Sequence, residues 1–171
     1  MLAEIEARVA AVANLHRTLY ASASEDVLAV DLAAYLKALV GELRQSSATE
    51  NKTVTLSPPT ISAQLNTERA VAIGIIASEL IANAIKYAYP DGDGEVRVRL
   101  ERDPGGGLIL IVEDDGVGFS GGIDKSVGLG GRIVSAMTRA LEARLQYDTP
   151  PRGARAVLRL IPELFIDLQP L

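Results

Sequence analysis

The 171-residue chain contains no cysteine, no tryptophan and a single histidine. Without cysteine there is no disulfide framework, no thiolate metal site and no cysteine nucleophile. A reducing, cytoplasmic setting fits that composition. Long hydrophobic runs are also missing. The longest stretch, "AVAIGIIA", is broken at once by Ser78 and Glu79, so no membrane segment is expected. The start, "MLAEIEARVA", lacks the basic beginning and apolar core of a signal peptide. Nor is there an excess of positive charge: the formal net charge is −5, which argues against a nucleic-acid partner. Any anionic ligand must be held by local features. What remains, 48% hydrophobic and 23% charged residues, is ordinary for one compact domain, with room for a helical appendage.

Residues 2 to 22 space Leu2, Ile5, Val9, Val12, His16 and Leu19 alternately three and four apart, a helix with a short heptad seam. Asp31 is a plausible N-cap for "LAAYLKALVGELRQS", a second amphipathic helix. "TVTLS" and "ISAQL" read as short strands. Asn66 or Thr67 then caps a long apolar helix that stops before "YPDGDG", a dense turn signal. "EVRVRLER" alternates cleanly, and "LILIVED" is nearly continuous, as expected of a central strand covered on both faces. A glycine-rich segment separates it from the helix "RIVSAMTRALEA", and "RLQYD" and "ARAVLRLI" finish as strands. The pattern predicts an α/β sandwich, a mixed sheet with a long and a shorter helix packed on it.

Three clusters carry the chemistry. Within the long helix, Glu79, Asn83, Lys86 and Tyr87 share an arc of roughly 100°, at about 100° per residue, while Ile73, Leu80, Ile81, Ala84 and Ile85 fill the apolar remainder. A polar stripe on so apolar a helix is expected to face something other than bulk water. The second cluster, "EDDGVGF", places Asp114, Gly116 and Gly118 at alternate positions after a buried strand. The third, "GLGGRIV", leads Gly128, Gly130 and Gly131 into a helix, where backbone amides can approach a phosphate and the helix terminus supplies partial positive charge. A strand-end carboxylate can accept a hydrogen bond from an exocyclic amine such as that of adenine, and an asparagine oxygen can join the shell of Mg2+. Each cluster alone is a common turn or loop; no Rossmann fingerprint or P-loop is present.

In this order, "ELIANAIKYA", "VEDDGVGF" and "GLGGRIV" resemble the N, G1 and G2 boxes of the Bergerat-fold ATPases, the family of gyrase, Hsp90 and histidine kinases. The likeness is greatest to sensor histidine kinases with the second type of dimerisation domain, and it extends over residues 4 to 162. It implies a Bergerat-fold α/β sandwich preceded by an N-terminal helical segment. Residues 1–24 would be the second helix of a dimerisation and phosphotransfer region, and residues 25–171 the ATP-binding catalytic domain. ATP and Mg2+ are the implied cofactors, with Asn83 on the metal and Lys86 on phosphate. Asp114 would take the adenine amine over a floor shaped by Gly116 and Gly118. Gly128, Leu129, Gly130 and Gly131 would form the lid hinge and the amides around the phosphates, with Arg132 within reach. Glu79 would be a polarising residue or support the metal, and Tyr87 would line the pocket or pack beneath it. A response-regulator receiver domain and a homodimer through the N-terminal helix are the implied partners.

The departures are specific. The phosphoacceptor pattern of that subfamily, "H-R-x-K-N", is absent from the sequence. His16 lies in "LHRTLY", without the Lys-Asn pair, and on the apolar seam, so it is expected to be structural. The acceptor then lies on a segment beyond this sequence or on a partner. "GLGG" stands where the family usually has "GLGL", and the short lid "SGGIDKSV" is glycine-rich. The rivals are an anti-sigma-factor-like serine kinase, a kinase-like adaptor that binds a protein partner, and a hydrolytic ATPase. The N-terminal helix speaks against the first. Asn83, Asp114 and both glycine clusters speak against the second.

Overall fold

The structure is a computed structural model, and it describes residues 29–47, 52–90, 92–118 and 128–170. The expected helix over residues 2 to 22, with its seam and His16, and the lid "SGGIDKSV" lie outside the described residues.

A short strand β1 (Ala29–Asp31) runs directly into helix α1 (Leu32–Ser47). Asp31 caps that helix as expected, its Oδ1 accepting a hydrogen bond from the Ala34 amide at 2.7 Å. Leu32, Leu36, Leu39 and Leu43, spaced four, three and four apart, are all buried. Strands β2 (Lys52–Leu56) and β3 (Ile61–Asn66) follow, then helix α2 (Thr67–Tyr87), whose N-cap Asn66 accepts from the Arg69 amide at 2.9 Å. Strands β4 (Gly94–Arg102) and β5 (Leu108–Asp114) form the expected hairpin. Helix α3 (Leu129–Ala140), strands β6 (Arg144–Asp148) and β7 (Ala154–Leu160), a 3-10 turn (Pro162–Leu164) and β8 (Asp167–Pro170) complete the chain.

The strands divide into two sheets. The larger has the order β2-β4-β5-β7-β6, with β2 and β4 parallel and the other neighbours antiparallel. The smaller is β1-β3-β8, antiparallel throughout. The result is a mixed sheet with the helices on one face. Val54, Val96, Val98, Leu100, Leu108, Leu110, Val112, Leu158 and Leu160 point to that face and join Ile73, Ile76, Leu80 and Ile81 of α2 in one core. Truncating a buried leucine such as Leu110 to alanine is expected to cost about 2–5 kcal/mol. Buried Tyr35 of α1 lies against Gly74 of α2, where a side chain would strike the tyrosine ring and hydroxyl. Burial pushes the Tyr35 hydroxyl up to about 12.

Two expectations are corrected. The outer face of β5 is covered not by a layer of secondary structure but by arginines: Arg97, Arg99 and Arg155 converge on Glu113. Their long stems flank Ile111 and Val157, which are buried beside them. Helix α3 starts at Leu129, three residues before "RIVSAMTRALEA", and takes Gly130 and Gly131 into its first turn. It also stops earlier, at Ala140, because Glu142 adopts a left-handed φ of 51° that a helix does not continue through.

By length and mean hydropathy of 1.5, α2 could cross a membrane. Twelve of its 21 residues are buried within this domain, so core packing accounts for its apolar character.

Candidate nucleotide site

Helix α2 carries the polar stripe past two contacts. Near its middle, Glu79 is only 6% exposed, and Gly130 in the first turn of α3 packs against its carboxylate. A Cβ on Gly130 would meet Glu79 Oε2, so a larger residue there would have to displace the buried carboxylate. The contact also places the carboxylate at the positive end of the α3 dipole. Two turns further on, just past the helix end, the Ala88 carbonyl accepts the Val117 amide at 2.9 Å. Gly116 lies so near that a side chain on it would collide with the same carbonyl. The second and third clusters therefore flank one helix, with Asn83 between the two contacts. Asn83, Lys86 and Tyr87 are exposed along that stretch. The Lys86 ammonium sits 5.4 Å from the centroid of the Tyr87 ring. Tyr87 is 54% exposed, which excludes its packing beneath the site.

Asp114 ends β5 on the helix-bearing face and is 5% exposed. Its Oδ1 accepts the Gly116 amide at 2.9 Å, and the Ala154 amide also bonds to the carboxylate. Desolvation by burial nevertheless holds its pKa above the usual aspartate value. Gly118, half-buried with a left-handed φ of 70°, turns against the Gly153 carbonyl at 2.7 Å from where its Cβ would be. Gly153 itself allows no side chain, because one would strike the Asp114 carbonyl.

At the start of α3, Gly128 is the N-cap without a side-chain hydrogen bond, and its carbonyl accepts the Arg132 amide at 3.1 Å. Gly131 is half-buried, whereas Leu129 and Arg132 are exposed. Among the described residues four large hydrophobic side chains are more than half exposed: Tyr87, Val117, Leu129 and Ile166. The first three belong one each to the three clusters.

Gly153, Arg152 and Tyr89 were not anticipated. Arg152 Nε donates to the Asp115 carbonyl at 3.0 Å. The only local signal for Gly153 is its place in "TPPRG", the turn that returns the chain to the sheet beside Asp114.

Among the described residues no group of three or more histidine, aspartate or glutamate side chains converges. A divalent cation here would rest on an amide oxygen such as that of Asn83 and on oxygens of the ligand itself. That donor set suits Mg2+, which prefers oxygen and retains waters.

All three clusters fall within a stretch of sequence that matches a known family. Residues 68–164, more than half of the chain, match the model of the histidine kinase-, DNA gyrase B- and HSP90-like ATPases, and the chain belongs to that family. Residues 1–47 match a second model, described as histidine kinase. Within the family, the chain is similar to sensor histidine kinases. It is 36% identical over 102 residues to the sensor histidine kinase PdtaS of Mycobacterium tuberculosis, covering 56% of this chain and 20% of that protein. Against the blue-light-activated histidine kinase 2 of Erythrobacter litoralis it is 29% identical over 127 residues, 72% of this chain and 36% of the relative. The chain thus spans about a fifth to a third of the curated relatives it matches. The solved histidine kinase domain of the Erythrobacter litoralis EL346 blue-light-activated kinase superposes with a TM-score of 0.78 at 25% identity, over 91% of this chain and 78% of that one.

Proposed function

We propose that this chain is the ATP-binding catalytic domain of a sensor histidine kinase, residues 25–171, joined to the end of a dimerisation and phosphotransfer region, residues 1–24. The reaction is transfer of the γ-phosphoryl group of Mg-ATP to a histidine nitrogen. The bond from the γ-phosphorus to its bridging oxygen breaks, ADP leaves, and the imidazole gives up its proton. A receiver-domain aspartate of a response regulator then takes the phosphoryl group. On this reading His16 is structural, and the acceptor histidine is on a further segment of the protein or on a partner. The setting is the cytoplasm, with a homodimer formed through the N-terminal helix.

The roles follow from the chemistry of each group. Asp114 accepts the adenine amine, and its backbone hydrogen bonds to Gly116 and Ala154 hold it in place. Gly116 and Gly118 shape the floor. Asn83 offers the metal an oxygen ligand, and Mg2+, when bound, neutralises phosphate charge. Lys86 reaches a phosphate, with Arg132 as a second cation for the phosphates. The amides of Gly128, Leu129, Gly130 and Gly131 face the phosphates at a helix start. Glu79 polarises the reacting groups from beside Gly130. Such a reaction depends on positioning and charge stabilisation, which this arrangement is suited to supply.

The observation that carries this reading is the double contact of α2: Gly130 on Glu79 at one point and Gly116 with Val117 on Ala88 at another. Binding of a fluorescent ATP analogue tests it. The chain should bind the analogue in a Mg2+-dependent manner, and Asp114→Asn should remove binding while the far-ultraviolet circular dichroism is unchanged. Undiminished binding by that variant would remove the pocket assignment.

A further inference from the structure

Tyr89 lies two residues past the end of α2, in the turn "YPDGDG", and none of the roles above uses it. Its ring packs on Gly94, where any side chain would collide with it. Its hydroxyl donates to the Glu95 carbonyl at 2.7 Å and accepts the Asp115 amide at 3.0 Å. The register explains why this matters. Val96 pairs with Asp114 in the β4–β5 ladder, so Glu95 and Asp115 are the next residues in line. At that rung the tyrosine oxygen bridges the carbonyl of one strand to the amide of the other. The ladder therefore ends at Asp114, and the chain turns into the glycine loop from a fixed point.

Asp115 is held from two other directions as well. Its carboxylate takes both terminal nitrogens of Arg97, at 2.6 and 2.9 Å, and its carbonyl takes Arg152. Only the tyrosine bond acts on the amide, the peptide unit shared with Asp114. A shift of that peptide moves the Asp114 backbone and with it the carboxylate.

We infer that Tyr89 is a positioning residue for the nucleobase: through the Asp115 amide it sets where Asp114 presents its carboxylate to the exocyclic amine of a purine. This rests on the reading of Asp114 as the nucleobase acceptor. Specificity is the expected consequence, since a displaced carboxylate loses the amine contact but leaves the phosphate contacts alone.

Tyr89→Phe removes one oxygen and keeps the ring on Gly94. Asp115 is exposed, so water can take over its amide, and the fold should persist. The thermal midpoint should fall by no more than about 4 °C, the scale of 1 kcal/mol in a chain of this size. Displacement of a fluorescent ATP analogue by ATP and by GTP provides the readout, because guanine carries a carbonyl where adenine carries the amine. A well-placed hydrogen bond is worth about 0.5–1.5 kcal/mol, so ATP affinity should fall by about two- to twelvefold. GTP affinity should hardly change, and the preference for ATP should shrink by the same factor. Unchanged ATP affinity would overturn the inference, as would an equal loss for ATP and GTP, which is the mark of a merely structural residue. Asp114→Asn separates the two levels. If it also binds ATP like the unaltered chain, the nucleobase reading itself fails; if it alone loses binding, only the role of Tyr89 does.

Discussion

Glu113 and Asp114 are adjacent carboxylates at the end of one strand, and they live in opposite worlds. The two-residue period of a strand sends Glu113 to the outer face and Asp114 to the helix face. Glu113, 8% exposed, is met by Arg155 at 2.8 Å, Arg97 at 3.3 Å and Arg99 at 3.4 Å. Burial pushes its pKa up, but the Arg155 hydrogen bond and the charges of Arg99 and Arg97 outweigh it, and the net shift is downward. Asp114 is as deeply buried but draws its hydrogen bonds from backbone amides, and desolvation leaves its pKa raised. One carboxylate is satisfied by the protein. The other keeps a raised pKa despite two backbone hydrogen bonds, beside the glycine loop to which the proposed function assigns the nucleobase. On the proposed function, the strand separates stability from ligand binding within two residues.

The largest expected effect lies on the functional side. Asp114→Asn should weaken nucleotide binding by about 100-fold or more, because a charge-assisted hydrogen bond to the base is lost and the amide presents a donor where an acceptor is needed. Its thermal midpoint at neutral pH should stay level or rise, since the variant no longer buries a charge. The mirror image is Glu113→Gln, which should leave nucleotide affinity unchanged. Three arginines would lose their shared partner, but each is about a third exposed and can turn to water, so unfolding in urea should show a loss of about 1–2 kcal/mol. Equal effects of the two variants on affinity would abolish the contrast.

The smallest effect is on pH dependence. Glu113 has a folded pKa below its ordinary value of 4.5, so its contribution is present above that value and is lost as the pH falls through the lower folded value. Asp114 has a folded pKa above its ordinary value of 3.8, so the folded state binds the extra proton first, and acidification through that window favours the fold. Nucleotide binding should therefore be lost at a higher pH than the stability supplied by Glu113. Parallel binding and thermal-denaturation series between about pH 3 and 7 would show the order. Loss of stability preceding loss of binding would contradict the assignment.

Much of this contrast was legible in advance. The alternation of "EVRVRLER" announces a wet face bearing arginines, and the capping residues Asp31 and Asn66 are local signals that the structure bears out. The three boxes stand out because each is a contiguous string. Other features have no local pattern. Strands β1 and β8 are three and four residues long and exist through pairing with β3. The arginine cage depends on residues 14, 16 and 42 positions from Glu113, brought together only by register. Tyr89 acts across 26 residues on Asp115, and Gly153 is needed because of a carbonyl on the neighbouring strand. The start of α3 was misread because glycines signal a turn, whereas Gly130 and Gly131 lie inside the first turn of the helix, with Gly130 beside Glu79.

The central claim is that the asparagine stripe, the strand-end aspartate and the two glycine clusters surround one ligand. Titration with Mg-ATP, followed by the amide and guanidinium signals of an isotope-labelled sample, tests it directly. The account predicts that Asn83, Asp115, Gly116, Gly118, Gly130 and Gly131 shift together and saturate at one nucleotide concentration, while the guanidinium Nε–H signals of Arg99 and Arg155 on the outer face stay still. Shifts confined to a single cluster, or saturating at separate concentrations, would contradict it.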